Sequence, residues 1–287
     1  MENRPRRVAA IHDLSGFGRC SLAVILPVLS AMGVQVCPVP TAVLSTHTGG
    51  LGEVEFRDLT DYMNPCLAHY KRLDIEFECI YSGFLGSEAQ IDHCLEFLRA
   101  YPNALHVVDP VMGDHGKAYR TMGESIRRRM GELAREADII TPNLTEACML
   151  LGQEYQSQPV TRTQAKSMLL KLSELGPKQV VITGVQMAAG EMANLGYDKE
   201  RGSFWIVVCD YVPVSYPGTG DIFSSVLVGG LLTGDSLPIA MERATRFLEL
   251  VIKTTFSYGT DTRHGVMLET SLSWLTQKDL LKGYAAL

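Results

Sequence analysis

The chain has 287 residues, of which 46% are hydrophobic and 20% charged, so it is long enough to bury a large core. Its formal net charge is -6, and its basic clusters at Arg4–Arg7 and Arg127–Arg129 are short and isolated, which argues against a nucleic-acid-binding surface. The longest apolar run, Leu22–Val36, is broken by Pro27 and is too short to span a bilayer, which argues against a membrane segment. No linker-like stretch divides the sequence, so we expect one domain over residues 1–287.

The cysteines indicate a reducing compartment. The seven thiols are scattered, odd in number and never arranged as C-x-x-C, a pattern that favours reduced, mostly buried side chains over a disulfide framework or a zinc site. In addition, His12, Asp13 and Arg19 interrupt the apolar stretch that a signal peptide would need. We therefore expect a cytoplasmic protein.

Short β-branched runs alternate with longer amphipathic stretches along the chain. The predicted strands are Val8–Ile11, Val34–Val39, Cys79–Tyr81, Leu105–Val108, Ile139–Ile140, Val180–Thr183, Glu191–Tyr197 and Phe204–Cys209. The predicted helices are Ser21–Met32, Arg57–Lys71, Glu88–Ala100, Glu124–Arg135, Leu144–Leu151, Arg162–Leu175, Ile222–Leu232 and Ser236–Phe256. This order is typical of an α/β fold with a doubly wound, mainly parallel central sheet and helices on both faces. The strands near Glu191 and Phe204 lie close together in the sequence, so we expect a hairpin at one edge of the sheet.

Polar clusters follow five of the predicted strands. They are His12–Gly18, Thr41 with Ser45–Gly50, Ser82–Gly86, Asp109–Asp114 and Thr141–Glu146. In a doubly wound fold, ligands bind beyond the carboxyl ends of the strands, so these hydroxyls, carboxylates and glycines are predicted to meet at one rim. Any one cluster alone is also explained by ordinary loop chemistry, and it is their shared position that indicates a site.

The most informative motif is Pro217-Gly218-Thr219-Gly220-Asp221, which leads into the apolar stretch Ile222–Leu232. The glycines let the backbone turn sharply and approach a ligand, and the helix N-terminus behind them stabilises an anion through its unpaired N–H groups. We predict that the N–H groups of Gly218, Thr219 and Gly220 hold a transferring phosphoryl group. Asp221 would repel a phosphate, so its predicted role is to accept the proton of an attacking hydroxyl. The alternative is a plain glycine turn with an acid at the helix start.

Four motifs, in this order and at these intervals, carry a family resemblance. They are Asp109-Pro110-Val111-Met112-Gly113-Asp114, Thr141–Glu146, Val180–Gly184 and Gly218–Asp221. The set resembles the ribokinase-like vitamin kinases, and among them most of all the pyridoxal kinases, over nearly the whole chain. This resemblance implies a ribokinase-like fold, ATP as co-substrate and a homodimer. The short interval between Val39 and Arg57 leaves no room for the large β-lid of the sugar kinases, which implies a small, flat substrate.

The resemblance also distributes roles on the nucleotide side. Asp114 and Glu146 are hard oxygen donors suited to positioning Mg²⁺, in part through water, because Mg²⁺ dehydrates reluctantly. The resemblance places the other polar side chains of the motifs near the nucleotide, some of them around a monovalent cation such as K⁺: Asp109, Thr141, Asn143, Thr183 and Thr219. For Asp109 the alternative is an acid that anchors its own loop. The sequence contains no G-x-x-x-x-G-K-[ST], so the mechanism does not use a P-loop.

A second group of residues matches the vitamin pocket. The predicted substrate-binding residues are Asp13, Ser15, Thr41, His47 and Phe84. Asp13-Leu14-Ser15-Gly16 is closer to the corresponding turn of the hydroxymethylpyrimidine kinases, whereas Asp221 stands where that family typically carries cysteine. We expect Phe84 to stack on a heteroaromatic ring, Asp13 to hydrogen-bond a ring nitrogen or substituent, and His47 to reach a ring hydroxyl. The alternatives are that Asp13 caps the helix near Ser21 or pins its own loop, and that His47 is a local hydrogen-bond partner.

The function implied is ATP-dependent phosphorylation of the 5′-hydroxymethyl group of a vitamin B6 vitamer. The alternatives are a hydroxymethylpyrimidine kinase and a vitamin-binding homologue that has lost catalysis. The presence of Asp114, Glu146 and Asp221 together argues against the silent homologue.

Overall fold

The computed structural model describes residues 4–188, 191–210, 212–277 and 283–287. Its strands are β1 (Arg7–Phe17), β2 (Gln35–Thr46), β3 (Phe56–Asp58), β4 (Cys79–Ser82), β5 (Leu105–Val108), β6 (Gly113–Asp114), β7 (Lys117–Ala118), β8 (Ile139–Ile140), β9 (Gln179–Ala188), β10 (Glu191–Asp198), β11 (Ser203–Asp210) and β12 (Tyr284–Ala286). Its α-helices are α1 (Leu22–Ala31), α2 (Thr60–Arg72), α3 (Glu88–Ala100), α4 (Glu124–Glu136), α5 (Leu144–Leu151), α6 (Arg162–Glu174), α7 (Thr219–Thr233) and α8 (Leu237–Tyr258), with 3-10 turns at Thr262–His264 and Leu272–Thr276. The predicted doubly wound α/β fold is confirmed.

Within the described residues, the central sheet has ten strands in the order β12-β11-β10-β9-β8-β5-β4-β1-β2-β3. The six central strands, β9, β8, β5, β4, β1 and β2, pair in parallel with one another. The outer strands β3, β10, β11 and β12 pair antiparallel to their neighbours. The predicted hairpin is present as β10 and β11, with Tyr197 opposite Phe204. It is not the outermost element, because the C-terminal strand β12 pairs with β11 outside it.

Alternate residues of the central strand β1 pack on opposite faces of the sheet. Val8 and Ala10 face the layer that contains α1, α7 and α8, whereas Ala9 and Ile11 face the layer that contains α2 to α6. All four side chains are fully buried. A continuous apolar run is the expected sequence of a parallel strand that is covered on both faces.

Three of the predicted boundaries on the side of the site were wrong. β1 and β2 do not end at Ile11 and Val39 but continue to Phe17 and Thr46, because their carboxyl-terminal halves pair with each other. The helix predicted from Arg57 begins at Thr60, because Phe56–Asp58 forms β3 against β2 and the Asp58 carboxylate accepts a hydrogen bond from the Thr60 N–H. Residues 47–59 hold only the three-residue strand β3, so there is no large lid in this described segment.

The order of the strands creates the crevice. β1 lies between β2 and β4 in the sheet. The connection from β1 leads to β2 on one side, whereas β4 pairs with β1 on the other side, so the order of the strands reverses at β1. The carboxyl ends of β1 and β4 are therefore left open. The N-terminus of α7 reaches the same end of the sheet. Among the residues that the structure describes, none of the helices is both long enough and apolar enough to cross a membrane.

Candidate active site

The glycine turn before α7 has two glycines in different environments. Gly218 is the N-cap residue of α7, with φ of 79°, and a Cβ placed on it would lie 2.1 Å from the Arg19 carbonyl oxygen. Gly220 lies in the first turn of the helix, and a Cβ there would have no other heavy atom within 4 Å. α7 begins at Thr219 and not at the predicted Ile222, and the Thr219 hydroxyl donates to the Tyr216 carbonyl at 3.1 Å. The turn therefore presents a helix N-terminus to open space.

Asp221 lies in the first turn of α7 with one carboxylate oxygen fixed. Its Oδ2 accepts a hydrogen bond from the Ser21 backbone N–H at 2.8 Å. Burial raises the pKa of Asp221 to about 7, the Ser21 N–H opposes that rise, and the negative charge of Asp13 adds to it. A carboxyl group with this pKa is partly ionised at neutral pH and can both accept and release a proton.

Asp13 lies next to this carboxylate and is itself saturated by protein hydroxyls. Its Oδ1 accepts from the Ser21 hydroxyl at 2.5 Å and its Oδ2 from the Ser15 hydroxyl at 2.9 Å. The side chain is buried, and burial raises its pKa. The structure thus brings Asp13, Ser15 and Asp221 together as predicted, and it gives Asp13 the loop-pinning contacts that were the alternative interpretation. Its contact with a substrate ring stays a prediction.

A second carboxyl group, Asp109, lies deeper in the crevice at the end of β5. The Ser224 hydroxyl lies 3.3 Å from Asp109 Oδ2 and 3.0 Å from Thr141 Oγ1, so it connects the two predicted nucleotide-side residues. The pKa of Asp109 is raised well above its ordinary value, mainly by burial and then by the charges of Glu146 and Asp221. Sequence reasoning missed Ser224, although its spacing of three residues from Asp221 puts both on one face of α7.

Glu146 and Asn143 form a capping box at the start of α5. Glu146 Oε2 accepts from the Asn143 N–H at 2.9 Å, and Asn143 Oδ1 accepts from the Glu146 N–H at 2.9 Å. Glu146 Oε1 also accepts from the Met112 N–H at 3.0 Å, and the Asn143 side-chain amide donates to the Gly113 carbonyl at 2.8 Å. Burial raises the pKa of Glu146 to about 8 against these backbone donors. Both residues therefore tie the Asp109–Asp114 loop to α5.

Asp114 is the more accessible of the two predicted metal ligands. Its Oδ1 accepts from the His115 N–H at 2.7 Å, and its side chain is 45% exposed. Its charge contributes to the raised pKa of Glu146, so the two carboxyl groups are within electrostatic reach. The described residues contain no group of three or more His, Cys, Asp or Glu side chains that could hold a metal ion. The pair fits Mg²⁺ nonetheless, because this ion takes one or two protein carboxylates and completes its shell with water and phosphate oxygens.

Thr183 lies beside Asn143 through the backbone. The two residues form an isolated parallel bridge, and the Thr183 N–H donates to the Pro142 carbonyl at 2.9 Å. This contact continues the pairing of β9 beyond the end of β8, so Thr141 and Asn143, which follow β8, lie beside Thr183 within β9.

Two of the side chains predicted to bind substrate, Thr41 and His47, contact the backbone. The Thr41 hydroxyl donates to the Phe84 carbonyl at 3.0 Å. His47 Nδ1 accepts from the Gly49 N–H at 2.9 Å, and His47 Nε2 lies 2.6 Å from the Arg263 carbonyl oxygen, which fixes the tautomer with the proton on Nε2. The structure therefore gives His47 the local role that was its alternative, and its contact with a ring hydroxyl stays a prediction.

Phe84 has an aromatic neighbour that the sequence did not indicate. A Cβ at Gly86 would lie 3.7 Å from the Phe84 ring and 3.9 Å from the Phe56 ring, so both rings border Gly86 at the rim. Phe56 is 47% exposed. The sequence gives no sign of this role, because Phe56 reaches the rim only through the pairing of β3 with β2.

Beneath the crevice lies a buried aromatic pair. The rings of His12 and Tyr81 are 4.4 Å apart in an edge-to-face arrangement, and both ring nitrogens of His12 lack a hydrogen-bond partner among the described residues. Burial lowers the pKa of His12 to about 3, so the imidazole is neutral. A Cβ on Gly83 would lie 2.3 Å from the His12 ring, which explains the glycine at that position.

Comparison with known proteins agrees with this geometry. The family model of phosphomethylpyrimidine kinase matches residues 26–267. A pyridoxal kinase PdxY from Granulibacter bethesdensis is 29% identical over 247 residues, which cover 80% of this chain and 83% of the relative.

Two solved structures are similar over almost the full length. A protein from Bacteroides thetaiotaomicron that is assigned to the phosphomethylpyrimidine kinases, in a crystal form with pyridoxal, has a TM-score of 0.94 and 42% identity, and covers 99% of this chain and 100% of its own. The pyridoxal kinase from Lactobacillus plantarum has a TM-score of 0.86 and 34% identity, and covers 94% and 96% of the two chains. The chain therefore belongs to the phosphomethylpyrimidine kinase family and is a kinase with the ribokinase-like fold.

Proposed function

We propose that this protein phosphorylates the 5′-hydroxymethyl group of a vitamin B6 vitamer (pyridoxal, pyridoxine or pyridoxamine) with ATP as the phosphate donor, and so salvages pyridoxal 5′-phosphate. The observation that carries the proposal is Asp221, a carboxyl group with a pKa near neutrality that lies directly behind a glycine turn at an open helix N-terminus. The pyridoxal kinase names of several relatives support the choice of substrate.

The chemistry follows from the placement of these groups. Transfer of a phosphoryl group to an alcohol needs a base for the hydroxyl proton, stabilisation of charge on the phosphate oxygens and in-line geometry. Asp221 Oδ2 is held by Ser21, so Oδ1 is the oxygen that accepts the proton of the hydroxymethyl group. The N–H groups of Gly218, Thr219 and Gly220 and the helix dipole behind them stabilise the transferring phosphoryl group.

The cation-binding residues belong to the nucleotide side. Asp114 and Glu146 would hold Mg²⁺, with Glu146 contributing through water because both of its oxygens already accept backbone N–H bonds. When bound, Mg²⁺ neutralises charge on the phosphate oxygens. Asp109, Thr141 and Thr183 would lie near the nucleotide and a monovalent cation such as K⁺, with Asn143 and Thr219 nearer the phosphates.

The substrate ring would lie on the opposite side of the crevice. Phe84 would stack on the flat heteroaromatic ring, and Ser15, Thr41 and His47 would surround its polar substituents. The predicted ring contact of Asp13 competes with the hydrogen bonds that Asp13 accepts from Ser15 and Ser21, which hold the loop instead. We further propose that residues 1–287 form one kinase domain that acts as a cytoplasmic homodimer. The single sheet that joins β12 to β3 supports the one-domain organisation.

Hydroxymethylpyrimidine is the competing substrate. The match to the phosphomethylpyrimidine kinase family and the turn Asp13-Leu14-Ser15-Gly16 favour it. Against it stands Asp221, at the position where hydroxymethylpyrimidine kinases typically carry cysteine. Both substrates are flat rings with a hydroxymethyl group, so apolar stacking alone discriminates weakly between them.

The deciding experiment measures turnover of pyridoxal, pyridoxine, pyridoxamine and hydroxymethylpyrimidine side by side with ATP and Mg²⁺, with Asp221→Asn as the inactive control. We expect the highest kcat/KM for a B6 vitamer. A higher kcat/KM for hydroxymethylpyrimidine would assign the protein to the competing function. No turnover of any of the four, together with retained pyridoxal binding, would identify a silent vitamin-binding homologue.

A further inference from the structure

The turn between β1 and α1 has an unusual backbone. Gly18 has φ of 113°, and two residues with side chains follow in the left-handed half of the Ramachandran plot, Arg19 with φ of 46° and Ser21 with φ of 50°. The ψ of Ser21 is -134°, which places it outside the left-handed helical region that asparagine or aspartate sometimes adopts. Residues with a Cβ in such conformations are unfavourable and persist only where the surroundings hold them.

Contacts on several sides hold this turn. The Ser21 hydroxyl donates to Asp13 Oδ1 at 2.5 Å, and Asp13 is in turn fixed by the Ser15 hydroxyl. Two glycines make room for the turn, because a Cβ at Gly218 would lie 2.1 Å from the Arg19 carbonyl oxygen and a Cβ at Gly265 would lie 2.6 Å from the Gly18 carbonyl oxygen. The turn is therefore enclosed between the start of α7 and the 3-10 turn that precedes Gly265.

The conformation has one consequence for the site. It directs the Ser21 N–H to Asp221 Oδ2 at 2.8 Å, although Ser21 and Asp221 are 200 residues apart in sequence. That is the only hydrogen bond to the Asp221 carboxylate within the described part of the chain. One oxygen is thereby occupied and the carboxylate plane is fixed, so the other oxygen is oriented for a ligand.

We propose that Ser21 is a positioning residue for Asp221. The buried Asp13 accepts a hydrogen bond from the Ser21 hydroxyl and thereby keeps the turn in its unfavourable conformation. In this conformation the Ser21 N–H donates to Oδ2 of Asp221. This inference rests on the proposed function, since it assumes that Asp221 accepts the substrate proton. It assigns Asp13 to the support of the base and not to the substrate ring.

The arrangement also fixes the charges around the base. The titratable groups that influence Asp221 or are influenced by it come from several elements: Asp13 on β1, Cys20 in the turn, Tyr81 on β4, Asp109 after β5 and Tyr119 after β7. Asp13 is the one among them whose charge directly opposes ionisation of Asp221, whereas the Ser21 N–H favours it. The Ser21 N–H thus lowers the pKa of Asp221, and the negative charge of Asp13 raises it.

Three variants test the inference in kinetic assays with pyridoxal and ATP over a range of pH. Ser21→Ala removes the hydroxyl that Asp13 grips but keeps the backbone N–H, and we expect kcat to fall roughly tenfold while the KM for pyridoxal stays within about twofold. Ser21→Gly also loses the hydroxyl but adopts the same backbone conformation without strain, so we expect it to recover part of the kcat lost in Ser21→Ala. Ser173→Ala is the matched control, because Ser173 is also buried and its hydroxyl donates to the Pro177 carbonyl at 2.9 Å, away from the site.

Asp13→Asn separates support of the base from contact with the substrate. The asparagine oxygen can still accept from Ser21, but the negative charge is lost, so we expect the acid limb of kcat/KM to move to lower pH by roughly one unit. The ratio of kcat/KM between pyridoxal and hydroxymethylpyrimidine is expected to stay unchanged.

Two results would overturn the inference while leaving the proposed function intact. One is a wild-type enzyme that phosphorylates pyridoxal but whose Ser21 variants match Ser173→Ala in kcat. The other is an Asp13→Asn enzyme whose acid limb is unmoved while its substrate ratio changes, since that would place Asp13 on the substrate. A wild-type protein that phosphorylates none of the four hydroxymethyl compounds would instead refute the proposed function and the inference with it.

Discussion

Asp221 and Glu146 both lie near enough to Asp109 for their charges to raise its pKa, and they differ in how their own oxygens are satisfied. Burial raises the pKa of Asp221 to about 7 and that of Glu146 to about 8. Glu146 accepts backbone N–H bonds on both oxygens, from Met112 and Asn143, whereas Asp221 accepts one, from Ser21. Burial alone therefore does not distinguish a base from a structural acid. The difference lies in Asp221 Oδ1, which accepts no hydrogen bond from the described residues, so a substrate hydroxyl can approach it without competing with a protein donor.

The largest expected effect comes from removing the charge of the less saturated carboxyl group. Asp221→Asn keeps the size of the side chain and an oxygen that can accept from the Ser21 N–H, so we expect pyridoxal binding to be nearly unchanged. Loss of the general base should lower kcat by on the order of 10²–10⁴. Steady-state kinetics measure both quantities. Asp210→Asn is the control, because Asp210 is exposed and its carboxylate pairs with Lys253 Nζ at 2.6 Å. A kcat near the wild-type value in Asp221→Asn would remove Asp221 from the mechanism.

The pH dependence of the wild-type enzyme tests the same group without a mutation. A base with a pKa of about 7 is protonated as the pH falls, so kcat/KM should drop about tenfold for each unit well below 7. Because the pKa of Asp221 is higher in the folded state than its ordinary value, the folded protein binds this proton more tightly, and this group alone stabilises the fold as the pH falls towards 4. We therefore expect protonation of Asp221 not to lower the melting temperature between pH 7 and pH 4. Thermal unfolding measured over this range separates a loss of activity from a loss of folded protein. A flat profile between pH 5 and 8 would contradict the assignment.

Gly218 and Gly220, the two glycines of the turn before α7, differ in the space that surrounds them. Gly218→Ala adds a Cβ at 2.1 Å from the Arg19 carbonyl oxygen in a residue with positive φ, so we expect the free energy of unfolding to fall by about 1–3 kcal/mol and activity to fall with it. Gly220→Ala meets no atom within 4 Å and lies inside a helix, so we expect unchanged or slightly higher stability, by up to about 1 kcal/mol. Its methyl group would still occupy the space where the phosphoryl group is proposed to lie, and kcat should fall roughly tenfold. Denaturant unfolding and kinetics of both variants give the comparison, and a fully active Gly220→Ala would place the phosphoryl group elsewhere.

The sequence sufficed for those parts of the fold that depend on local pattern. The alternation of strands and helices, the hairpin of β10 and β11 and the position of Asp221 at the start of a helix all follow from periodicity and turn residues. The extension of β1 to Phe17 and of β2 to Thr46 could not be predicted in this way, because each extension exists only by pairing with the other and with β3. Pairing partners are a property of the tertiary structure and not of local propensity.

In the site too, some features can be predicted from the sequence and others depend on the tertiary structure. Residue type and motif spacing indicated the carboxyl groups, but not which of their oxygens are free. Asn143 and Glu146 have the spacing of a capping box, so the role of Glu146 at a helix start can be predicted from the sequence as well as its role as a metal ligand. The role of Ser21 could not be predicted from the sequence. It depends on a backbone N–H and on an unfavourable φ, and the type of side chain indicates neither.

The smallest expected effect concerns the saturated carboxyl group, where a structural and a metal-linked role must be separated. Glu146→Ala removes the capping box of α5 and leaves the Met112 N–H without its acceptor, so we expect the free energy of unfolding to fall by about 1–3 kcal/mol. Gln164→Ala is the matched control, because Gln164 closes the capping box of α6, where its side chain accepts from the Thr161 N–H at 2.9 Å.

The readout that separates the two roles is the Mg²⁺ concentration at half-maximal activity. If Glu146 holds the ion through water, this concentration should rise about three- to tenfold in Glu146→Ala and stay constant in Gln164→Ala, since most of the Mg²⁺ shell is supplied by water and phosphate oxygens. If both variants lose stability and neither changes the Mg²⁺ titration, Glu146 acts only as the cap of α5. In that case Asp114, whose carboxylate is 45% exposed, would be the remaining carboxyl ligand of the predicted pair.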